Sequence, residues 1–100
     1  MKIAPDSYLA RATALGMPVE SIKEIVHLRP IYHYTAVNEW LRTKHDLLVA
    51  VTDVRHGYQF LVTGKDTEYA SQVIRNHGEA WQRGLLWAMS KVEAIMKVIP

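Results

Sequence analysis

The period of the apolar pattern changes once between Leu47 and Ile99, and this change restricts the fold more than any other property of the chain. Through Leu47–Ile74 apolar and polar residues alternate in three short runs, the two-residue period of strands with one buried face. Through Asn76–Ile99 apolar residues recur three and four apart, the period of an amphipathic helix. A half-buried sheet followed by a one-sided helix is predicted to be covered by it, which gives an α+β fold. Strands are expected at Leu47–Val54, Tyr58–Thr63 and Glu68–Ile74, joined into an antiparallel meander by turns at Arg55-His56-Gly57 and Gly64-Lys65-Asp66. Leu47–Val54 is nearly all apolar and is placed centrally in the sheet. The third run has a competing reading, a short helix over Thr67–Arg75 started by Thr67 and ended near Gly78.

On a helical wheel, Trp81, Leu85, Ala88, Val92, Ile95 and Ile99 fall on one side of the last helix, with Met89 and Met96 at its margin. This stripe is predicted to pack on the sheet. Ala80, Trp87, Ala94 and Val98 form a weaker second stripe. If the N-terminal helices cover it, Trp87 is core; if they do not, Trp87 is the centre of a dimer or partner surface. The core assignment is preferred. Asn76 reads as the cap of this helix, and Glu79 complements its positive end.

The first 45 residues read as helical, and the chain as a single domain over residues 1–100. A first helix is expected at Asp6–Leu15, capped by Asp6 or Ser7 and stopped by Gly16. Pro18 opens a second at Pro18–Leu28, with Val19, Ile22, Ile25 and Val26 inward, and Pro30 closes it. A third, Ala36–Lys44, is capped by Thr35 and buries Val37, Trp40 and Leu41. The intervening Arg29–Tyr34 is expected to be non-helical.

Composition removes several classes of function. The chain has no cysteine, which excludes disulfides and thiolate metal sites and fits a reducing compartment. No apolar run approaches the ~20 residues of a membrane span, and Met1–Ala10 lacks a signal-peptide core, so no membrane role and a cytoplasmic location are expected. The net charge of +2 is small, and Lys and Arg are scattered.

Motif by motif, catalysis finds little support. Ala12, Gly16, Met17, Ile22 and Ile25 fit helix-turn-helix spacing, but the recognition face would carry Glu20 and Glu24 against phosphate. An ordinary helix pair closing the core explains the same residues. His27, His33, His45, His56 and His77 never occur four apart, and no acidic residue completes a ligand set, so no metal is expected. Ser7, Ser21, Ser71 and Ser90 lack a nucleophile context, and no glycine-rich loop could cradle a phosphate, so neither a catalytic residue nor a cofactor is assigned. Asp53, Asp66 and Glu68 read as turn and edge-strand residues.

Trp40-Leu41-Arg42 followed by His45, the meander, and then Glu79-Ala80 with Gly84-Leu85-Leu86 resemble a loose group of small phage and prophage proteins. In that group a WLR-x-x-H segment precedes a meander that an EA-x-x-x-GL helix closes. The resemblance spans Val37 to Met96 and implies a mobile-element accessory protein that binds a host protein to modulate or inhibit it. The expected contact surface is Tyr32, Tyr34, Arg55 and His56, with Trp87 as the alternative anchor and a homodimer through the last helix as a further outcome. Nucleic-acid binding through the interleaved aromatic and basic residues Tyr32, Tyr34, Trp40, Arg42, Lys44, Arg55, His56 and Tyr58 is the competing reading.

Overall fold

The computed structural model describes residues 8–64 and 66–98, with side chains described through Met96. The elements are α1 (Tyr8–Ala14), α2 (Val19–Ile25), α3 (Pro30–His45), β1 (Leu47–Val54), β2 (Gly57–Gly64), β3 (Glu68–Ala70) and α4 (His77–Val98). The three strands form an open antiparallel sheet in the order β1-β2-β3, and α4 packs across β1 and β2. This is the meander-and-helix α+β architecture that the change of period requires. On the other flank of α4 lie α1 and α3, while α2 closes against α3 and α1.

Gly16 ends α1 as expected, at φ +111. Its N–H reaches Thr13 O at 3.1 Å and the Met17 N–H reaches Ala12 O at 2.9 Å, the paired bonds of a left-handed helix stop. Ala12 and Met17 are both buried at this closure. The proposed caps Asp6 and Ser7 lie outside the described residues. Pro18 caps α2 instead of opening it, and the helix ends at Ile25, short of Leu28.

The largest departure is at Pro30, which starts a helix where a stop was expected. A proline satisfies both roles, because its missing N–H is harmless at the first helical position and it holds the preceding residue extended. Arg29 is extended at φ −64, ψ 150, and α3 then runs unbroken to His45. Arg29–Tyr34 is therefore not an irregular segment, since all but Arg29 is helical. Thr35 is no cap; its hydroxyl donates to Ile31 O inside the helix at 2.9 Å. The earlier start adds His33 and Tyr34 to the buried face of Val37, Trp40 and Leu41.

β1 is an edge strand and β2 is central, a second correction. The apolar run of β1 serves two partners: Leu47 and Val49 face α4, while α3 lies along its outer side. Leu48, on the opposite face, is 43% exposed. Asp46 links α3 to β1 alone, in the left-handed conformation at φ 53. Val54 pairs with Gly57, so the first hairpin turns on Arg55 and His56, with His56 at φ 72.

The third run is a strand, but an interrupted one. Leu61 pairs with Ala70 and Thr63 with Glu68, whereas further along Tyr58 bridges Ile74 instead of Val73. One extra residue has entered the third strand, a β-bulge. Ser71 holds it: its N–H donates to Phe60 O at 2.9 Å and its Oγ accepts the Phe60 N–H at 3.0 Å. The slip turns Ile74 into the core at 7% exposure and leaves Val73 outside at 52%.

Asn76 caps α4, its Oδ1 accepting the Glu79 N–H at 2.9 Å. Gly84 lets the helix approach the sheet: a Cβ there would stand 2.8 Å from Val49 Cγ1 and 3.1 Å from Phe60 Cβ. Leu85, Ala88, Met89 and Val92 are buried as the wheel requires, whereas Ile95 and Met96 are mostly exposed. Geometry accounts for the difference. Twenty-two residues make a helix of about 33 Å, while eight-residue strands reach only about 26 Å.

Candidate functional site

The residues expected to form a contact surface separate. Tyr34 is only 4% exposed, stacks on Trp81 at 5.8 Å between centroids, and accepts a hydrogen bond from Gln82 Nε2 at 3.2 Å. It is core, which removes it from the surface set. The reason is the long α3, which points Tyr34 inward and leaves Tyr32 out at 55% exposure. Arg55 and His56 are exposed in the hairpin turn. Trp87 is half-buried, but Tyr69 of β3 covers it rather than the N-terminal helices. The second stripe of the wheel is thus split between a buried Ala80, a sheet-edge Trp87 and an exposed Ala94.

The two edges of the sheet differ in their backbone chemistry. On β1, the Asn38 side chain lies flat against Val49: Nδ2 donates to Val49 O at 2.8 Å and Oδ1 accepts the Val49 N–H at 2.9 Å. One amide side chain thereby replaces a neighbouring strand at that residue. On β3, the Gly64 N–H donates to Thr67 O and the Ser71 N–H to Phe60 O. By alternation the Glu68 and Ala70 groups point away from β2. Among the described residues, no further strand pairs with them.

Beside this open edge runs a groove of about 410 Å³ between α4 and the bulged segment. Its floor is Phe60 and Ile74; Tyr69 and Val73 form one wall and Arg83, Leu86 and Trp87 the other. Tyr69 and Trp87 stack nearly parallel, 4.4 Å apart and 11° from coplanar. Lys91 Nζ stands 5.2 Å from the centroid of the Trp87 ring. With Tyr69 against one face and this ammonium against the ring, Trp87 presents its edge to the groove.

Among the described residues Arg83 is the one charged side chain lining the groove, and it pairs with Glu79 on the same helix at 2.8 Å. The two serine hydroxyls of the groove already have partners. Ser71 Oγ donates to Gln72 O, and Ser90 Oγ donates to Leu86 O while receiving Arg11. Among the described residues no imidazole or carboxylate lines the groove, so neither serine hydroxyl has a described base beside it there. Among the described residues no three His, Asp or Glu side chains could hold a metal ion together. No described helix is long and apolar enough to cross a membrane.

A second hollow of about 410 Å³ opens at the far end of α4, ringed by His45, Asp46, Asp66, Lys91 and Ile95. It runs to Met96, where the described side chains end. Elsewhere, a buried polar cluster fastens α1 to α3. The Tyr8 hydroxyl is 3.0 Å from His33 Nδ1, and burial, aided by the neighbouring Tyr34 phenol, pushes the Tyr8 pKa up to about 12. These rings are packing elements between three helices.

Sequence reasoning singled out Trp87 but missed Tyr69, Arg83 and Val73. One signal was available. Arg83, Trp87 and Lys91 fall four apart and so share a helix face. No family model matches this chain, and comparison with curated proteins and with solved structures also returns no match.

Proposed function

We propose that this is a non-enzymatic binding protein whose contact surface is the groove between β3 and α4, and that it acts by engaging another protein. The observation that carries the reading is the grouping of Trp87, Tyr69 and Arg83 around one groove. Trp, Tyr and Arg are the side chains that dominate interface energies when they flank a pocket that excludes water. The stack pre-orders two of them, so less side-chain freedom is lost on binding. The phage-protein resemblance supports the same class, an accessory protein that engages a host protein.

The nucleic-acid reading fares worse on geometry. A base needs a free aromatic face to stack on, and the Trp87 faces are taken up by Tyr69 and Lys91. Retention of proteins from a nuclease-treated bacterial lysate on wild-type and Trp87→Ala protein tests the proposal. A stoichiometric protein retained by the wild type, insensitive to moderate salt and lost with a folded Trp87→Ala variant, is the expected result. Recovery of nucleic acid alone from an untreated lysate, with binding that falls steeply as salt rises, would overturn it.

A further inference from the structure

We infer that the groove receives an extended segment of the partner, added as a fourth strand along β3, with acidic side chains flanking an apolar one. The inference rests on the binding role proposed above and adds its mode and chemistry. Three observations converge on it. First, the β3 edge offers the outward N–H and C=O groups of Glu68 and Ala70, while the equivalent groups of Val49 on β1 are occupied by Asn38. A strand has the complementary donors and acceptors, and adding one to an exposed edge is an established mode of peptide recognition.

Second, the groove lies on the face that every second residue of such a strand would enter. Tyr69 pairs with Val62, whose side chain is buried under α4, so the inner face of β3 is the groove side. Third, the charges on α4 match an extended spacing. Arg83 and Lys91 stand eight residues apart on either side of Trp87, which is about 12 Å along a helix. A strand covers that distance in about four residues, so positions i, i+2 and i+4 share the inner face. A carboxylate at i meets Arg83, an apolar side chain at i+2 meets the Trp87 edge, and a carboxylate at i+4 meets Lys91, which stands over the Trp87 ring beyond the groove lining, toward the second hollow. Both cations have capacity for this. Glu79 takes one contact from a guanidinium with five N–H donors, and Lys91 forms no ion pair among the described residues, although Asp66 borders the hollow beyond it.

The probe is a seven-residue peptide that alternates threonine with glutamate, valine and glutamate, followed by amide shifts of isotope-labelled protein. Saturable shifts are expected along residues 68–73 and at Arg83 and Trp87. Replacing both glutamates by lysine, or methylating the inward-hydrogen-bonding amides of the peptide, should each weaken binding roughly tenfold. Ala70→Pro removes an outward donor from an edge position that tolerates proline and should weaken binding similarly, with the melting temperature nearly unchanged.

If Ala70→Pro unfolds the protein, the methylated peptide on the wild type still decides the matter. Equal binding of the methylated and unmethylated peptides overturns strand addition. So do shifts centred away from β3, or none at all. Concentration-dependent dimerisation abolished by Ala70→Pro would also overturn it, by assigning the edge to a second copy of this chain. Failure of the peptide while Trp87→Ala still abolishes partner retention would leave the groove standing and sink only the strand.

Discussion

The edges of this sheet solve one problem in opposite ways. An edge strand exposes backbone groups that invite pairing. Against β1 the chain sets the length of α3 and the Asn38 amide, and Val49 is satisfied in both directions. Along β3 it leaves a three-residue strand, a bulge and an aromatic wall. Between the sealed edge and the central strand α4 comes closest to the sheet: Val49, Phe60 and Gly84 meet there with no room for a methyl group on the helix. On the open side the pairing is short, and the side chains that face it are half-exposed. The lesson is that this chain invests its buried contacts in one edge and keeps the other available.

The strongest way to break the comparison is to remove the ground both edges stand on. Val92 is 2% exposed within the core. Val92→Asp should cost several kcal/mol, comparable with the whole stability of a small domain, and leave little folded protein by circular dichroism. Ser90→Asp, on the exposed side of the same helix, should melt within a few degrees of the wild type. Next comes the sealed edge. Asn38→Ala strips two hydrogen bonds from Val49 and should lower stability by about 2–3 kcal/mol in urea unfolding, since partly buried backbone groups lose their only partners. Equal stability would mean that water replaces the amide and that the two edges differ less than their geometry implies.

On the open side the matching change is smaller. Ser71→Ala deprives the Phe60 N–H of its side-chain acceptor and should cost about 1–2 kcal/mol, with amide exchange accelerated at Phe60 before any global loosening. The smallest effect is one of pH. Burial holds the His45 imidazole below its ordinary value, with the Trp40 ring edge-on at 4.9 Å. The unfolded chain therefore takes up the proton more readily. Stability is intact above the usual imidazole range, about pH 6.5, and falls as pH drops through it. A melting temperature that declines slightly between pH 7 and pH 5.5, and less so in His45→Gln, is the expected result. A decline of equal size in both proteins would remove His45 from the account.

What could be read from the residues follows the same division. β1, β2 and α4 announce themselves, because the apolar run of the first, the alternation of the second and the helical stripe of the third each extend over many residues and tertiary contacts only reinforce them. Pro30 could not be assigned locally: the ring that ends one helix is equally able to begin the next, and only the burial of His33 and Tyr34 decides it. The bulge was illegible for a different reason. The Ser71 hydroxyl substitutes for a backbone acceptor, a contact no alternation pattern encodes, and it reverses which of Val73 and Ile74 is buried. Of the candidate site, Trp87 could be found because a tryptophan on a minor stripe demands a partner. Its cover, Tyr69, comes from another element at a pairing set by β2, and no single-helix argument reaches it.

The single residue between α3 and β1 has a kinematic consequence. With Asp46 alone as the joint, counting eight residues back along the helix to Asn38 moves about 12 Å. Counting three forward along the strand to Val49 moves about 10 Å. The two paths run side by side and end at nearly the same height, so the guard is aligned with its target by chain length as well as by attraction. A helix and a strand coupled this tightly behave as the two arms of a caliper. Lengthening the joint by even one residue would change where the arms meet, and would unseal an edge without altering any of the side chains that close it.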